Sequence, residues 1–239
     1  MNNVEICHVR IHNTTLPEAV DYARSGERSP CWVVTPNAVM LDICARESDT
    51  ARLLSAADLS IPDGAGVLLA AKRQGTPLSC RVAGIEFGEA LLARAAEDGL
   101  RVFLLGGGEG VAETAADRLS ARYPSLCICG TCWGYFQKSG EEDRRVIAHV
   151  RACRPDILLV CMGFPMQEEW IRAHLRLLDG VRVVAGLGGS LDVWSGHLRR
   201  APKIVSHMGL EWAWRMLKEP KRLKNLPAIV RFVRKTHFL

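Results

Sequence analysis

Four polar side chains stand at three turns of the chain, each turn close behind an apolar run. Asp63 lies between a proline and a glycine, where it can cap the next helix or act as a general base toward an attacking hydroxyl. Position alone favours the cap, although one carboxylate can serve in both roles. Thr35 and Asn37 follow an earlier run, and Asn37 is a good helix cap. Gln167 opens a later helix, where its amide can bind a sugar hydroxyl.

A glycine-rich turn at residues 106–110 is a second kind of candidate site. Between a strand and a helix, the backbone N–H groups of Gly106, Gly107 and Gly108 can approach a phosphate, helped by the helix dipole. The alternative is a tight turn without a ligand. The dinucleotide fingerprint fails because Val111 stands where its third glycine belongs, and no Walker lysine follows. The turn therefore favours a nucleotide or sugar diphosphate and makes a nicotinamide dehydrogenase a distant alternative.

Arg81 and a group of cysteines are the remaining candidates for ligand binding. The guanidinium of Arg81 can pair with a diphosphate in bidentate fashion, but by itself this residue is better explained as a surface or structural arginine. Cys127, Cys129 and Cys132 have the spacing C-x-C-x-x-C without a fourth ligand at a recognised distance, so we expect plain thiols and no metal. An odd total of nine cysteines also argues against a disulfide framework.

The elements that must position these residues alternate between strands and helices. Apolar runs that are typical of strands lie at 4–11, 31–35, 58–61, 101–105, 125–129, 156–162 and 181–186. Most of them are followed by a helical pattern, which predicts an α/β fold with a Rossmann-like, mostly parallel sheet and helices on both faces. Ligands of such sheets bind outside the carboxyl ends of the strands. The polar turns, the glycine turn and Gly188 after the last strand should therefore converge on one edge as the substrate site.

Length and composition exclude several classes of protein. The 239 residues suffice for one α/β domain with an appendage or for two small domains, and a hydrophobic content of 48% excludes extensive disorder. No apolar run approaches the length of a membrane-spanning helix, and the N-terminus lacks the apolar core of a signal peptide. The expected location is the cytoplasm.

Positive charge is concentrated at the C-terminal end. Residues 197–239 carry eleven Lys or Arg and two Glu, whereas the rest of the chain carries 20 basic and 24 acidic residues. We therefore predict an α/β core at 1–196 and a basic appendage at 197–239, with helices at 204–218 and 226–239. A basic tail on an acidic body is typical of proteins that meet phosphates of lipid or nucleic acid.

The last predicted helix is amphipathic. Its apolar face comprises Leu226, Ile229, Val230 and Val233, and basic residues occupy much of the remainder. This pattern is typical of a helix that lies on anionic lipid. Packing of the same face onto the body or onto another subunit is an equal alternative.

Several motifs in a fixed order resemble the WecG/TagA/CpsF family of bacterial glycosyltransferases, from about residue 5 to 225. They are Thr35-Pro-Asn37, the segment 57–64 around Asp63, Arg81-Val-Ala-Gly84, the segments 103–107, 134–136 and 155–163, Pro165-Met-Gln-Glu168, Gly188-Gly189, Arg200-Ala-Pro202 and the segment 209–212. Their common order makes the match far more specific than any single motif.

The resemblance implies an inverting, metal-independent hexosyltransferase that needs no cofactor beyond its UDP-sugar donor. The best-known activity of the family moves N-acetylmannosamine, or its uronic acid, to the lipid-linked acceptor N-acetylglucosaminyl-diphospho-undecaprenol, in teichoic acid or enterobacterial common antigen synthesis. The protein would then work at the inner face of the bacterial membrane, without nucleic acid and either alone or as a homo-oligomer. One alternative is another UDP-hexose donor, such as UDP-glucose, for capsule or exopolysaccharide. A second is a non-enzymatic protein that binds nucleotide or nucleic acid.

The resemblance also assigns roles to single residues of the core. Asp63 matches the base that removes the proton of the acceptor hydroxyl as that hydroxyl attacks the anomeric carbon. Thr35 and Asn37 match residues near the donor sugar, and Gln167 matches another active-site position. Arg81 matches a basic residue near the diphosphate.

In the appendage, Arg215 and Arg222 match functional arginines of an element that closes the site and contacts the membrane. Three positions depart from the family pattern. Met166 stands where Lys is usual, Asn225 where an Arg is often expected, and Glu86 where Asp is common. These departures bear on the donor sugar and on closure of the site rather than on the class of reaction.

Overall fold

A computed structural model describes residues 1–202, 213–214, 216 and 220–235 of the chain. Its centre is a six-stranded sheet in which all the pairings are parallel. In chain order the strands of this sheet are β3 (Cys31–Val34), β4 (Leu59–Ser60), β5 (Arg101–Gly106), β6 (Cys127–Cys132), β7 (Ile157–Cys161) and β8 (Val183–Gly186). Across the sheet they run β4-β3-β8-β7-β5-β6. The predicted α/β fold is confirmed.

Helices cover both faces of the sheet, which explains why its central strands are apolar throughout. One face is covered by α1 (Leu16–Arg24), α5 (Gly84–Asp98), α6 (Val111–Arg122) and α9 (Ser190–Trp194). The other is covered by α2 (Ala38–Cys44), α3 (Ser48–Ser55), α4 (Ala65–Arg73), α7 (Gly140–Cys153) and α8 (Met166–His174), which continues as a 3-10 helix over Leu175–Leu177. In β7, Leu158 and Val160 point to the second face and Leu159 to the first, as the alternation of a strand requires.

Sequence patterns predicted most of these elements but missed α3, α5 and the short α9. All three helices lack a side-chain cap, since Glu47, Ala83 and Gly189 occupy the N-cap positions without a capping hydrogen bond. The helix that begins at Leu16, by contrast, has the full capping box between Thr15 and Glu18.

The prediction of one strand at 4–11 is wrong, because this segment forms a hairpin of two strands. Strands β1 (Asn3–Ile6) and β2 (Val9–His12) pair antiparallel. Cys7 and His8 between them both have positive φ angles, as a two-residue hairpin turn requires. Neither residue is a glycine or asparagine, the types that favour such a turn, and the turn was therefore not predicted. The strand predicted at 125–129 also begins and ends later, at the half-buried edge of the sheet.

The last described helix, α10 (Leu226–Lys235), follows a 3-10 helix over Pro220–Asn225. It packs against α2 and α4 and buries Ala228 and Phe232. The apolar face predicted to contact lipid is therefore divided. Leu226 and Val230 are exposed, whereas Ile229 and Val233 are half-buried beside Ala228 and Phe232. The helix predicted at 204–218 lies outside the described residues except at 213–214 and 216, which are helical, and so do residues 236–239. Among the described residues, none of the helices combines the length and apolar composition needed to cross a membrane.

Candidate active site

The carboxyl ends of β3, β4 and β8 meet at one edge of the sheet. The Thr35 hydroxyl, directly after β3, donates to the carbonyl of Gly186 at the end of β8, at 3.4 Å. The backbone N–H of Asp63, after β4, donates to the Pro36 carbonyl at 3.1 Å. Thr35 and Asp63 are thereby brought to the same edge, as the parallel arrangement predicted.

Asp63 does not occupy the capping position that its sequence context favoured. The N-cap of α4 is Gly64, whose φ of 99° suits glycine and which has no side chain that could cap the helix. Asp63 itself is half-buried, one residue before the cap. The neighbouring Pro62 carbonyl accepts from the N–H of Val82 at 3.0 Å, which places the Arg81 segment beside this turn.

Asn37 is the N-cap of α2, as predicted. Its Oδ1 accepts from the N–H groups of Val39 and Met40 at 3.0 and 3.2 Å. Its Nδ2 lies 3.3 Å from the sulfur of Met40. Because the helix uses the oxygen of the amide, a ligand could receive only hydrogen bonds donated by Nδ2.

Gln167 is almost wholly buried and joins the turns after β7 and β8. Its Oε1 accepts from the N–H of Gly163 at 3.2 Å and from the N–H of Gly188 at 2.9 Å. Its Nε2 donates to Oε1 of Glu168 at 2.7 Å. The N–H of Gly188, a predicted substrate-binding residue, is thus used inside the fold, where Gln167 links the turns after β7 and β8.

Glu168 is fully buried beside Gln167. Burial raises its pKa to about 7, and its Oε2 has no hydrogen-bond partner among the described residues. Its place in the first turn of a helix is routine for an acidic residue, so its position along the chain did not mark Glu168 as a candidate.

Arg81 and Arg200 converge on one oxygen of Glu86. Nη2 of Arg81 lies 3.6 Å from Oε1 of Glu86, and Nη2 of Arg200 donates to the same oxygen. The first residues of the predicted appendage are thereby attached to the first turn of α5, which directly follows the segment that carries Arg81. Arg200 was part of a motif in the sequence, but only the structure shows that its guanidinium reaches this cluster.

The glycine turn after β5 is explained by close packing against the neighbouring strand. A Cβ on Gly106 would lie 2.2 Å from the carbonyl oxygen of Cys161, and that oxygen accepts from the N–H of Gly107 at 3.1 Å. The N–H of Gly134, after β6, donates to the Gly107 carbonyl at 2.9 Å. This packing requires glycine at 106 with or without a phosphate, so phosphate binding by Gly106, Gly107 and Gly108 stays a prediction.

Two predicted arginines cannot be placed with the others. Arg215 lies outside the described residues, and Arg222 is described only by its backbone, within the 3-10 helix before α10. In the described part of the chain, no three His, Cys, Asp or Glu side chains are arranged to hold a metal ion. All nine cysteines are free thiols, and Cys127, Cys129 and Cys132 are half-buried.

Comparison with known proteins decides the family. A family model described as "Glycosyl transferase WecG/TagA/CpsF family" matches residues 4–238. The chain belongs to this family. As a WecG/TagA/CpsF protein it is a glycosyltransferase, which confirms the predicted class of enzyme against the alternatives of a nicotinamide dehydrogenase and a non-enzymatic binding protein.

Curated relatives of this WecG/TagA/CpsF chain occur in Staphylococcus aureus. Proteins of the strains MW2, NCTC 8325 / PS 47 and COL are each 33% identical to it over 236 residues, which cover 97% of this chain and 91% of each relative. All three are named N-acetylglucosaminyldiphosphoundecaprenol N-acetyl-beta-D-mannosaminyltransferase. The similarity therefore spans the core and the basic C-terminal region alike.

Proposed function

We propose that the protein is an inverting transferase that moves N-acetylmannosamine from UDP-N-acetylmannosamine to N-acetylglucosaminyl-diphospho-undecaprenol, in the synthesis of a cell-surface polysaccharide of the teichoic acid type. The observation that carries this proposal is the 33% identity, over 97% of the chain, to relatives that bear the name of this reaction. The expected partners are the UDP-sugar and the lipid-linked acceptor.

The proposed base is Asp63. The oxygen of the acceptor hydroxyl attacks the anomeric carbon on the side opposite UDP, and the bond between that carbon and the phosphate oxygen breaks. The Asp63 carboxylate takes the hydroxyl proton, which makes the attacking oxygen a better nucleophile. Its support is position, because Asp63 is half-buried at the edge where β3 and β4 end, close to Thr35. Thr35 and Asn37 are proposed to lie beside the donor sugar.

The departing UDP needs positive charge close to its phosphates. Arg81 and Arg200 bring two guanidinium groups to one place beside Glu86, next to the Asp63 turn. Guanidinium groups are suited to phosphate oxygens and can stabilise the charge that develops as the bond breaks. We propose that they do so here without a metal ion, together with Arg215 and Arg222 of the appendage.

The end of the chain is proposed to hold the enzyme at the inner face of the membrane. Leu223, Leu226 and Val230 form an exposed apolar strip on the last described segments, with exposed fractions of 54%, 39% and 42%. Lys224 and Arg234 are exposed on the same segments. Each basic side chain near an anionic lipid surface contributes about 1 kcal/mol to binding. The apolar strip and these basic side chains together therefore support reversible binding to the membrane.

A transfer assay tests the reaction. The purified protein is incubated with UDP-N-acetylmannosamine and a synthetic lipid-diphospho-N-acetylglucosamine, with and without EDTA. We expect a disaccharide-lipid product in both conditions, and at least a hundredfold loss of rate in Asp63→Asn, since a general base contributes about that much. Asp49→Asn, at an exposed position of α3, is the matched control and should keep full activity. Product from another UDP-hexose alone would replace the proposed donor, and no product from any UDP-sugar would overturn the proposal.

A further inference from the structure

A buried pair of side chains lies where the candidate residues meet, and no step proposed above uses its carboxyl group. The pair is Gln167 and Glu168, at the start of α8. Glu168 has no exposed surface and Gln167 is 2% exposed, so Glu168 cannot touch a substrate directly. Any effect of Glu168 on transfer must act through its neighbours.

The hydrogen bonds of this pair define which way the Gln167 amide points. An amide has one accepting end and one donating end. Oε1 of Glu168 takes the donating end at 2.7 Å, so Oε1 of Gln167 faces the N–H groups of Gly163 and Gly188. These two N–H groups belong to the turns after β7 and β8, which line the edge where ligands of such sheets bind.

The pair also supports Thr35 through the backbone of β8. A Cβ on Gly186 would lie 2.7 Å from Nε2 of Gln167 and 3.1 Å from Oε1 of Glu168, so the strand rests directly on both side chains. The carbonyl of Gly186 in turn accepts from the Thr35 hydroxyl. A shift of the Gln167 amide would therefore displace the turns after β7 and β8 and, through Gly186, the side chain of Thr35 at the end of β3.

A buried carboxyl group at this position destabilises the fold more than an apolar side chain would, so a purely structural role does not explain it. An apolar side chain of similar size would fill the same space without burying an oxygen that lacks a partner, as Oε2 of Glu168 does among the described residues. Such costs are typically tolerated where function requires the group.

We propose that Glu168 is a positioning residue for sugar transfer, which orients the Gln167 amide and thereby holds the turns at Gly163 and Gly188 in place. Its kinetic consequence rests on the proposed function, but its structural consequence does not. Two variants separate the accepting oxygen from the volume of the side chain. Glu168→Gln keeps an oxygen that can accept from Gln167, and Glu168→Met keeps the volume and removes the oxygen.

The first measurement is amide hydrogen exchange of the full chain, which is monitored by NMR. In Glu168→Met, exchange of the Gly163 and Gly188 amides should accelerate at least about tenfold, which corresponds to the loss of one buried hydrogen bond. In Glu168→Gln both amides should stay near the wild-type rate. Gln167→Met should behave like Glu168→Met, and the double variant should add little, because the two side chains act as one unit.

The second measurement is the kinetics of transfer. Glu168→Met should lower kcat at least about tenfold with little change in the donor KM, and Glu168→Gln should restore most of the rate. Unchanged exchange and kcat in Glu168→Met, or an equal loss in Glu168→Gln, would overturn the proposal. If Glu168→Met does not fold, Glu168→Asp replaces it, since the shorter side chain withdraws the oxygen from Gln167. A wild type that transfers no sugar would overturn the proposed function, while the exchange rates would still judge the pair.

Discussion

Nη2 of Arg231, in the last described helix, donates to Oδ2 of Asp42 in α2 at a distance of 2.7 Å, although 189 positions separate the two residues. Asp42 is a buried carboxylate that also accepts from Arg46 at 3.2 Å. Asn37, which is proposed to lie near the donor sugar, caps the same helix. The contact therefore attaches the segment proposed for membrane binding to an element of the candidate site.

Loss of this contact should loosen the last helix without unfolding the core. The Arg231 side chain is 52% exposed, so Arg231→Gln should change the global free energy of unfolding by less than about 1 kcal/mol. Amide exchange within α10 should nevertheless accelerate severalfold. Arg234→Gln, on the exposed side of the same helix, is the control and should leave exchange unchanged. Equal exchange in both variants would show that the ion pair does not hold the helix.

Phe232 should contribute most to the docking of α10. It is 2% exposed, and its ring lies 3.8 Å from the position of a Cβ built on Gly66 of α4. Truncation of such a buried aromatic side chain costs about 3–5 kcal/mol, so Phe232→Ala should detach the helix or lower the urea midpoint. Limited proteolysis and urea denaturation measure these outcomes. Val230→Ala is the control, because Val230 is exposed, and a similar loss there would contradict the observed packing.

The exposed strip should determine binding to lipid. Replacement of Leu223, Leu226 and Val230 by serine should reduce sedimentation with phosphatidylglycerol vesicles at least about tenfold, since each buried apolar side chain contributes more than 1 kcal/mol. Leu177→Ser serves as the control, because Leu177 is similarly exposed elsewhere on the molecule. Binding that survives the triple replacement would place the membrane contact on another surface.

Arg200 should bind the donor together with Arg81. Arg200→Gln removes one of the two guanidinium groups on Glu86 and should raise the KM for the UDP-sugar about tenfold or more, as expected for a charged hydrogen bond to phosphate. Arg199→Gln, the neighbouring exposed arginine, controls for the change of net charge. An equal rise of KM in both variants would attribute the effect to long-range electrostatics alone.

Glu168 should make stability depend on pH around neutrality. Burial raises its pKa from 4.5 to about 7, so the folded protein keeps a proton that the unfolded chain has released. The contribution of this group to stability is full below about pH 4.5 and is lost as the pH rises through 7. Urea denaturation between about pH 5 and pH 8 should show a fall of up to about 3 kcal/mol that Glu168→Gln removes. Identical pH profiles of the two proteins would contradict an elevated pKa.

Contacts between residues that are close along the chain could be predicted from the sequence. The capping box at Thr15 and the cap at Asn37 are contacts within four residues, and both are present as predicted. The apolar runs of the central strands predicted a parallel sheet, because only strands covered on both faces are apolar throughout. The hairpin turn at Cys7 and His8 was missed because neither residue type is typical of positive φ.

The sequence by itself determined the class of fold, the edge on which the polar turns converge, and the motifs that belong to a glycosyltransferase family. Only the tertiary structure decided that Gln167 and Glu168 are buried together. It also brought Arg200 to Glu86, a residue 114 positions away. The reason is physical. A cap or a periodic pattern depends on neighbours along the chain, whereas the burial and the partners of a side chain depend on which distant segments pack against it.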